Sequence, residues 1–272
     1  MKFFTKIILN LFLLLTGIVT LFPLIWMLSA SFMSPGEASS IPIKLIPENF
    51  TLDNYSEVFS RLNLARYFAN SLIISVCATF VSLLFNSLAG YAFAKFRFKG
   101  RDKLFNFLLS LMVIPGQVTM LPLFLMLKNL GLVNTYLGVI IPGMTSVFGI
   151  FMIRQFALTI PDSLIESARM DGAGEFQIYL KIILPLCKPA LVTLGLFTFI
   201  GVWNDFLWPL IIMTDNSMYT LPVAIANLMG EHSQDVELMM AGSVVTVLPT
   251  LIVFSIAQKY YIQGIMAGSL KE

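Results

Sequence analysis

Residues Pro161–Pro189 read PDSLIESARMDGAGEFQIYLKIILPLCKP. Asp162, Glu166, Arg169, Asp171, Glu175, Lys181 and Lys188 fall within this run, while long apolar segments flank it on both sides. Ionised groups at this density are too costly to place in lipid, so the run is a structured loop between membrane spans. Pro161 stops the preceding helix, and Ser163 followed by Glu166 has the residues and spacing of a capping box. A short helix is predicted to start there, with Leu164, Ile165 and Ala168 on its apolar side. Gly172 and Gly174 supply left-handed positions that end it and reverse the chain. Ile178 to Leu184 then rebuilds a helical segment, punctuated by Pro185 and Pro189.

The rest of the chain fits this frame. Of its 272 residues 57% are hydrophobic and only 12% charged, about half the charge of a soluble domain. The reading is an all-α membrane protein. Cys77 and Cys187 are far apart and form no disulfide framework, and His232 is the only histidine. A histidine-based metal site or triad therefore has nothing to build on, and no metal, cofactor or catalytic residue is expected. The chain lacks G-x-x-x-x-G-K-[ST], so any nucleotide hydrolysis belongs to another chain.

Six transmembrane helices are predicted. The first runs from Ile7 to about Ala30, too long for the apolar core of a signal peptide. Residues 31–66 form an extracytoplasmic segment, with Tyr55, Val58 and Phe59 on one face of a short amphipathic stretch. Further spans cover about Tyr67–Ala94, Leu104–Leu127 (with Pro115 and Pro122 inside), Leu137–Ile160, Ala190–Met213 and Met240–Tyr260. Residues 214–239 are expected to be an acidic external loop. The basic run KFRFKGRDK, Lys95–Lys103, suggests a nucleic-acid patch in isolation. Between two spans the positive-inside rule accounts for it, and no nucleic-acid partner is expected. Six spans put both termini on one side, together with the central loop and all of the 17 Lys and Arg except Lys44, Arg61, Arg66 and Lys128. That side is therefore cytoplasmic.

The fifth span contains WNDFLWP, Trp203–Pro209. Asp205 is an acid well inside an apolar segment, which marks a functional candidate. Its alternative is a hydrated position at the outer interface among belt tryptophans. The segment resembles a Trp-Asn-Glu/Asp stretch of sugar-importer permeases, and that resemblance, with aromatics beside polar groups suiting a sugar's face and hydroxyls, implies Trp203, Asn204 and Asp205 as substrate-pathway candidates.

The central loop also resembles a known family. Glu166, Ser167, Ala168, Gly172, Ile182, Leu184 and Pro185 match, in type and spacing, the Glu-Ala-Ala loop of the membrane subunits of ATP-binding-cassette importers. Only Ser167, where Ala is usual, departs from it. PENFTLDNY, Pro47–Tyr55, and the tail QKYYIQGIMAGSLKE, with Gln258, Lys259, Tyr260, Gly264, Gly268 and Lys271, resemble segments of the carbohydrate-uptake class. This resemblance implies a type I importer permease fold, with the loop, about 161–189, as a cytoplasmic coupling helix. Glu166, Ser167, Ala168, Asp171 and Gly172 are then the ATPase-coupling residues, supported by Ile182, Leu184 and Pro185. It also implies residues 1–66 as first span and external segment, 67–262 as the five-span transport domain and 263–272 as a cytoplasmic tail. Implied partners are a second, non-identical permease, two copies of a cytoplasmic ATPase that hydrolyses ATP, an extracytoplasmic sugar-binding protein, and the bilayer. The competing function is an ion-coupled secondary transporter, for which Asp205 is nearly the sole mid-membrane ionisable group.

Overall fold

A computed structural model of the chain describes residues 2–61, 63–231 and 235–269, and no strand occurs among them. The helices are α1 (Lys2–Ala30), α2 (Asp53–Arg61), α3 (Leu64–Lys95), α4 (Arg101–Ser110), α5 (Gly116–Asn129), α6 (Tyr136–Ile140), α7 (Val147–Leu158), α8 (Asp162–Met170), α9 (Glu175–Ile178), α10 (Leu184–Leu186), α11 (Lys188–Trp203), α12 (Leu207–Ile212), α13 (Leu221–Glu231) and α14 (Val236–Ser269). Three are long and apolar enough to cross a bilayer: Phe4–Ala30, Leu64–Lys95 and Val236–Gln258. Three further segments pass the same test as bent pairs, giving up to six spans by length and composition.

The bends differ from the sequence expectation in instructive ways. The third span was expected to be one kinked helix. Instead Arg101–Val113 and Gly116–Asn129 meet at 103°. Ile114 is extended, as a residue before proline prefers, and Pro115 caps α5. Pro122 sits inside α5 without breaking it. Tyr136–Gly143 and Val147–Leu158 meet at 46°, beyond Pro142. The fifth span was expected to be continuous from Ala190 to Met213, but α11 ends at Trp203 and α12 starts at Leu207. Glu175–Leu186 joins α11 across a 78° bend at Cys187, next to the proline pair. The expected loop 214–239 contains α13, whose Leu221 and Val223 are buried. His232 and Lys271 lie outside the described residues, and of the tail motif only the helical backbone through Ser269 is described, with the Gln258 side chain.

The chain forms two compact units, residues Met1–Phe68 with Leu221–Pro249, and Ala69–Thr220 with Thr250–Glu272. In the first, Ala30, Met33 and Ala38 form a small core with Trp26, Val236 and Met240. Asn54 closes the end of α1 by donating from Nδ2 to the Ser31 and Met33 carbonyls, at 3.0 and 2.8 Å. Of the face expected on α2, Val58 is buried and Phe59 is exposed. Glu237 is buried and accepts the Ala38 N–H at 2.7 Å.

In the second unit, polar side chains fasten the helices where lipid offers no hydrogen bonds. Asn86, buried in α3, donates to Ser82 and accepts the Ser146 N–H at 2.9 Å, capping the start of α7. A Cβ at Gly149 would stand 2.7 Å from Asn86 Cγ, so this contact requires glycine. Trp208 Nε1 donates to the Gly138 carbonyl at 3.1 Å. Tyr136 OH donates to Asn70 Oδ1 at 2.7 Å, while Asn70 Nδ2 donates to the Ser217 and Tyr219 carbonyls.

Candidate functional site: helix α8 and its ties

Helix α8 starts two residues earlier than the capping-box reading requires. Pro161 occupies the cap position and no side chain caps it. Ser163 lies inside the first turn, its carbonyl accepting the Ser167 hydroxyl at 2.9 Å, and Glu166 is exposed. Proline needs no N–H partner at this position, and Asp162 then lies in the first turn, where a negative charge suits the helix dipole. At the other end the Ala173 N–H bonds the Ala168 carbonyl at 2.9 Å and the Gly172 N–H the Arg169 carbonyl at 3.0 Å. That pair of bonds is a Schellman stop. Gly172 takes the left-handed conformation it needs, φ 81°. Gly174 does not, with φ −72°, and instead begins α9. Only one of the two expected left-handed glycines is one.

Ile165 is the keel of α8. It is buried among Tyr91, Ala94, Ala157, Ile160, Ile178, Tyr179, Ile183 and Cys187, with Ala168, Ile182 and Leu184 packed against them. Pro185 is the second residue of α10 and is exposed. With one face of so short a helix buried, Glu166, Ser167, Met170, Asp171 and Gly172 are left exposed. Met170, at 87%, is the most exposed apolar side chain on the helix.

Both ends of α8 are tied to the carboxy-terminal half of α3. At the start, Lys95 Nζ donates to Asp162 Oδ1 and to the Ile160 carbonyl, each at 2.6 Å. The Lys95 hydrogen bond holds the Asp162 carboxyl below the usual carboxylate range. Beyond the end, Glu175 receives Arg169 Nε at 2.8 Å on one oxygen and Tyr91 OH at 3.0 Å on the other. Ser87 Oγ and Tyr179 OH, 2.6 Å apart, fasten the following turn to the same helix. Lys95, Phe96, Arg97, Asp162, Ile165, Glu166 and Arg169 line a cleft of about 360 Å³ beside α8.

Tyr91, Lys95, Arg169 and Glu175 were not singled out from the sequence as site residues. The ties span up to 84 positions of chain, and no periodicity signals them. The pathway candidates lie at the α11–α12 break. Trp203 is 1% exposed and stacks on Phe199. Asn204 is exposed and donates to the Ile200 carbonyl at 3.0 Å. Asp205 is half-buried and accepts the Trp208 N–H at 3.4 Å. Among the described residues no three His, Cys, Asp or Glu side chains gather as a metal-ligand set.

A helical membrane chain with a rigidly tied amphipathic helix between spans is the architecture of an importer permease. The comparisons agree: residues 82–266 match the family described as binding-protein-dependent transport system inner membrane component, and the chain belongs to that family. The arabinooligosaccharides transport system permease protein AraQ of Halalkalibacterium halodurans is 40% identical over 93% of this chain and 92% of its own. The lactose transport system permease protein LacG of Rhizobium radiobacter is 32% identical over 94% of this chain and 93% of its own. Among solved structures, a chain of a bacterial ABC transporter involved in the import of the acidic polysaccharide alginate superposes with TM-score 0.84 at 27% identity, over 95% of this chain and 96% of that one. The protein is thus a multi-pass membrane component of an ATP-driven, binding-protein-dependent importer. This sets aside the ion-coupled secondary transporter.

Proposed function

We propose that the chain is one of two non-identical permease subunits of a sugar importer, and that α8 is its contact with a cytoplasmic ATPase. The observation that carries this is the exposed surface of α8 itself. Glu166, Ser167, Met170 and Asp171 are turned to solvent on a helix whose opposite side is locked into the core. A helix held this firmly transmits a push rather than absorbing it. ATP binds and is hydrolysed on two copies of the ATPase, whose closure moves α8 and, through its ties, α3. That motion biases the spans between inward- and outward-facing states. Ala168 and Gly172 keep the contact close and turn the chain, with Ile182, Leu184 and Pro185 as support. Residues 67–262 carry the pathway, residues 263–272 form a cytoplasmic tail, and both termini are cytoplasmic.

A sugar cargo is supported by the relatives, whose names include arabinooligosaccharides and lactose. It is delivered by an extracytoplasmic binding protein, as the family description implies. Asn204 and Asp205, where α11 breaks, are the polar groups proposed to face it. Affinity purification of the tagged chain from its native membrane, wild type beside Glu166→Lys, tests this reading. Recovery of an ATPase and a second permease, with the ATPase lost from the variant, is expected. A lone chain or a homodimer, unchanged by the substitution, would refute it.

A further inference from the structure

The segment between α1 and α2 carries an exposed apolar surface. Ile41, Ile43, Leu45 and Ile46 are all exposed, Ile41 at 97% and Ile46 at 78%. The backbone beneath them is well fastened. Glu37 accepts the Glu48 N–H at 2.6 Å on one carboxylate oxygen and the Ser34 N–H at 3.1 Å on the other. Ser40 Oγ donates to the Glu37 carbonyl at 2.7 Å, and Ser29 Oγ donates to the Leu45 carbonyl at 2.6 Å. A fastened loop that points four branched apolar side chains outward calls for an apolar medium or partner over them.

The Ser29 bond identifies which. An α-helix crosses the ~30 Å hydrocarbon core in about 20 residues. With Ile7 at one boundary, the other falls near the last turn of α1. Ser29 lies in that turn, so its bond holds Leu45 at the boundary as well. Ile25 and Leu28, within a turn or so of Ser29 on α1, are exposed too. Within the loop, Lys44 pairs with Glu48 at 2.8 Å. Its long stem lets the charge reach the headgroup layer while the neighbouring isoleucines point into the chains.

We infer that Ile41–Ile46 is a membrane-interface anchor, its apolar side chains inserted into the leaflet opposite the amino terminus. On the orientation proposed above this is the outer leaflet, but the lipid contact does not depend on that assignment. The anchor sets the depth of the external segment and spares it from hanging in water.

The test is spin labelling of the full chain in its assembled complex, in lipid nanodiscs. Cys77 and Cys187 are replaced by alanine, and Ile43→Cys or Ile46→Cys carries the label. Recovery of the intact complex shows that labelling leaves the fold undisturbed. Collision with oxygen, which concentrates in the bilayer, is expected to exceed collision with a water-soluble nickel chelate several-fold at both positions. Greater access to nickel would place the loop in water, and protection from both would place it under another protein. Either result overturns the anchor.

Discussion

Lys95 is held where little water reaches it: its side chain is 6% exposed, against 67% for Asp162. A sequestered ammonium that loses its carboxylate keeps its desolvation cost with only the Ile160 carbonyl left to offset it. Asp162→Ala is therefore expected to free the start of α8 and lower substrate uptake by the reconstituted complex several-fold, with Asp162→Glu restoring much of it. Because the folded carboxyl titrates below its usual value, the tie is complete above about pH 4 and is lost only as pH falls further. Uptake between about pH 5 and 8 should show no step from this pair. A step there that Asp162→Asn abolishes would refute the geometry. Gly172 offers a second residue-level test. Nothing lies within 4 Å of a Cβ built there, so the cost of a side chain is purely that of its positive φ. Gly172→Ala should lower stability by about 1–2 kcal/mol and Gly172→Asn by less, read as thermal unfolding of the purified chain. Equal melting of all three proteins would show that the Schellman stop is not formed.

Among the elements, the link at the end of α8 shows how stability and function separate. Arg169 and Glu175 are each 44% exposed, and a pair so open to water contributes at most about 1 kcal/mol. Arg169→Glu or Glu175→Arg should thus barely change thermal stability, yet each unlinks α8 from Tyr91 and α3. The expected result is ATP hydrolysis that continues with little transport, and recovery in the Arg169→Glu/Glu175→Arg double variant. Two single variants that transport normally would show that the link carries no motion. The sequence made the element α8, its Gly172 stop and the long apolar helices legible, because these depend on local residue types and a repeating period. It left the ties hidden. Lys95 reads as one more cation obeying the positive-inside rule, and its pairing with a residue 67 positions away is fixed only by packing. Helix α13 was missed for the opposite reason. Its eleven residues are too few to span a membrane, and the acids around it made the stretch read as a loop. Pro115 was visible as a kink within one span, but the 103° turn depends on which helices pack behind each half.

At the scale of the molecule, everything proposed for α8 requires it to face the cytoplasm, and that orientation rests on charge. If the chain crosses six times, the basic run Lys95–Lys103, the central loop and both termini share one side, leaving only Lys44, Arg61, Arg66 and Lys128 of the 17 Lys and Arg elsewhere. A bias of this size in short loops sets topology, because cations are retained on the side where insertion begins. Asp171, exposed at the end of α8, and Asp53, exposed at the start of α2, should therefore lie on opposite sides. With both native cysteines replaced by alanine, a membrane-impermeant maleimide is expected to label Asp53→Cys in intact cells and Asp171→Cys only after the membrane is opened. The reverse pattern would put α8 outside, beyond reach of any ATP-hydrolysing subunit. Labelling of both in intact cells would mean an odd number of crossings between them has been misread, most directly at the bent pair Arg101–Asn129. Its halves, Arg101–Val113 and Gly116–Asn129, are each too short at about 1.5 Å per residue to cross a ~30 Å core alone. If that pair enters and leaves on the same side, the side on which α8 emerges changes with it. The same two cysteines thus test the orientation and the way the protein's sharpest bend sits in the bilayer.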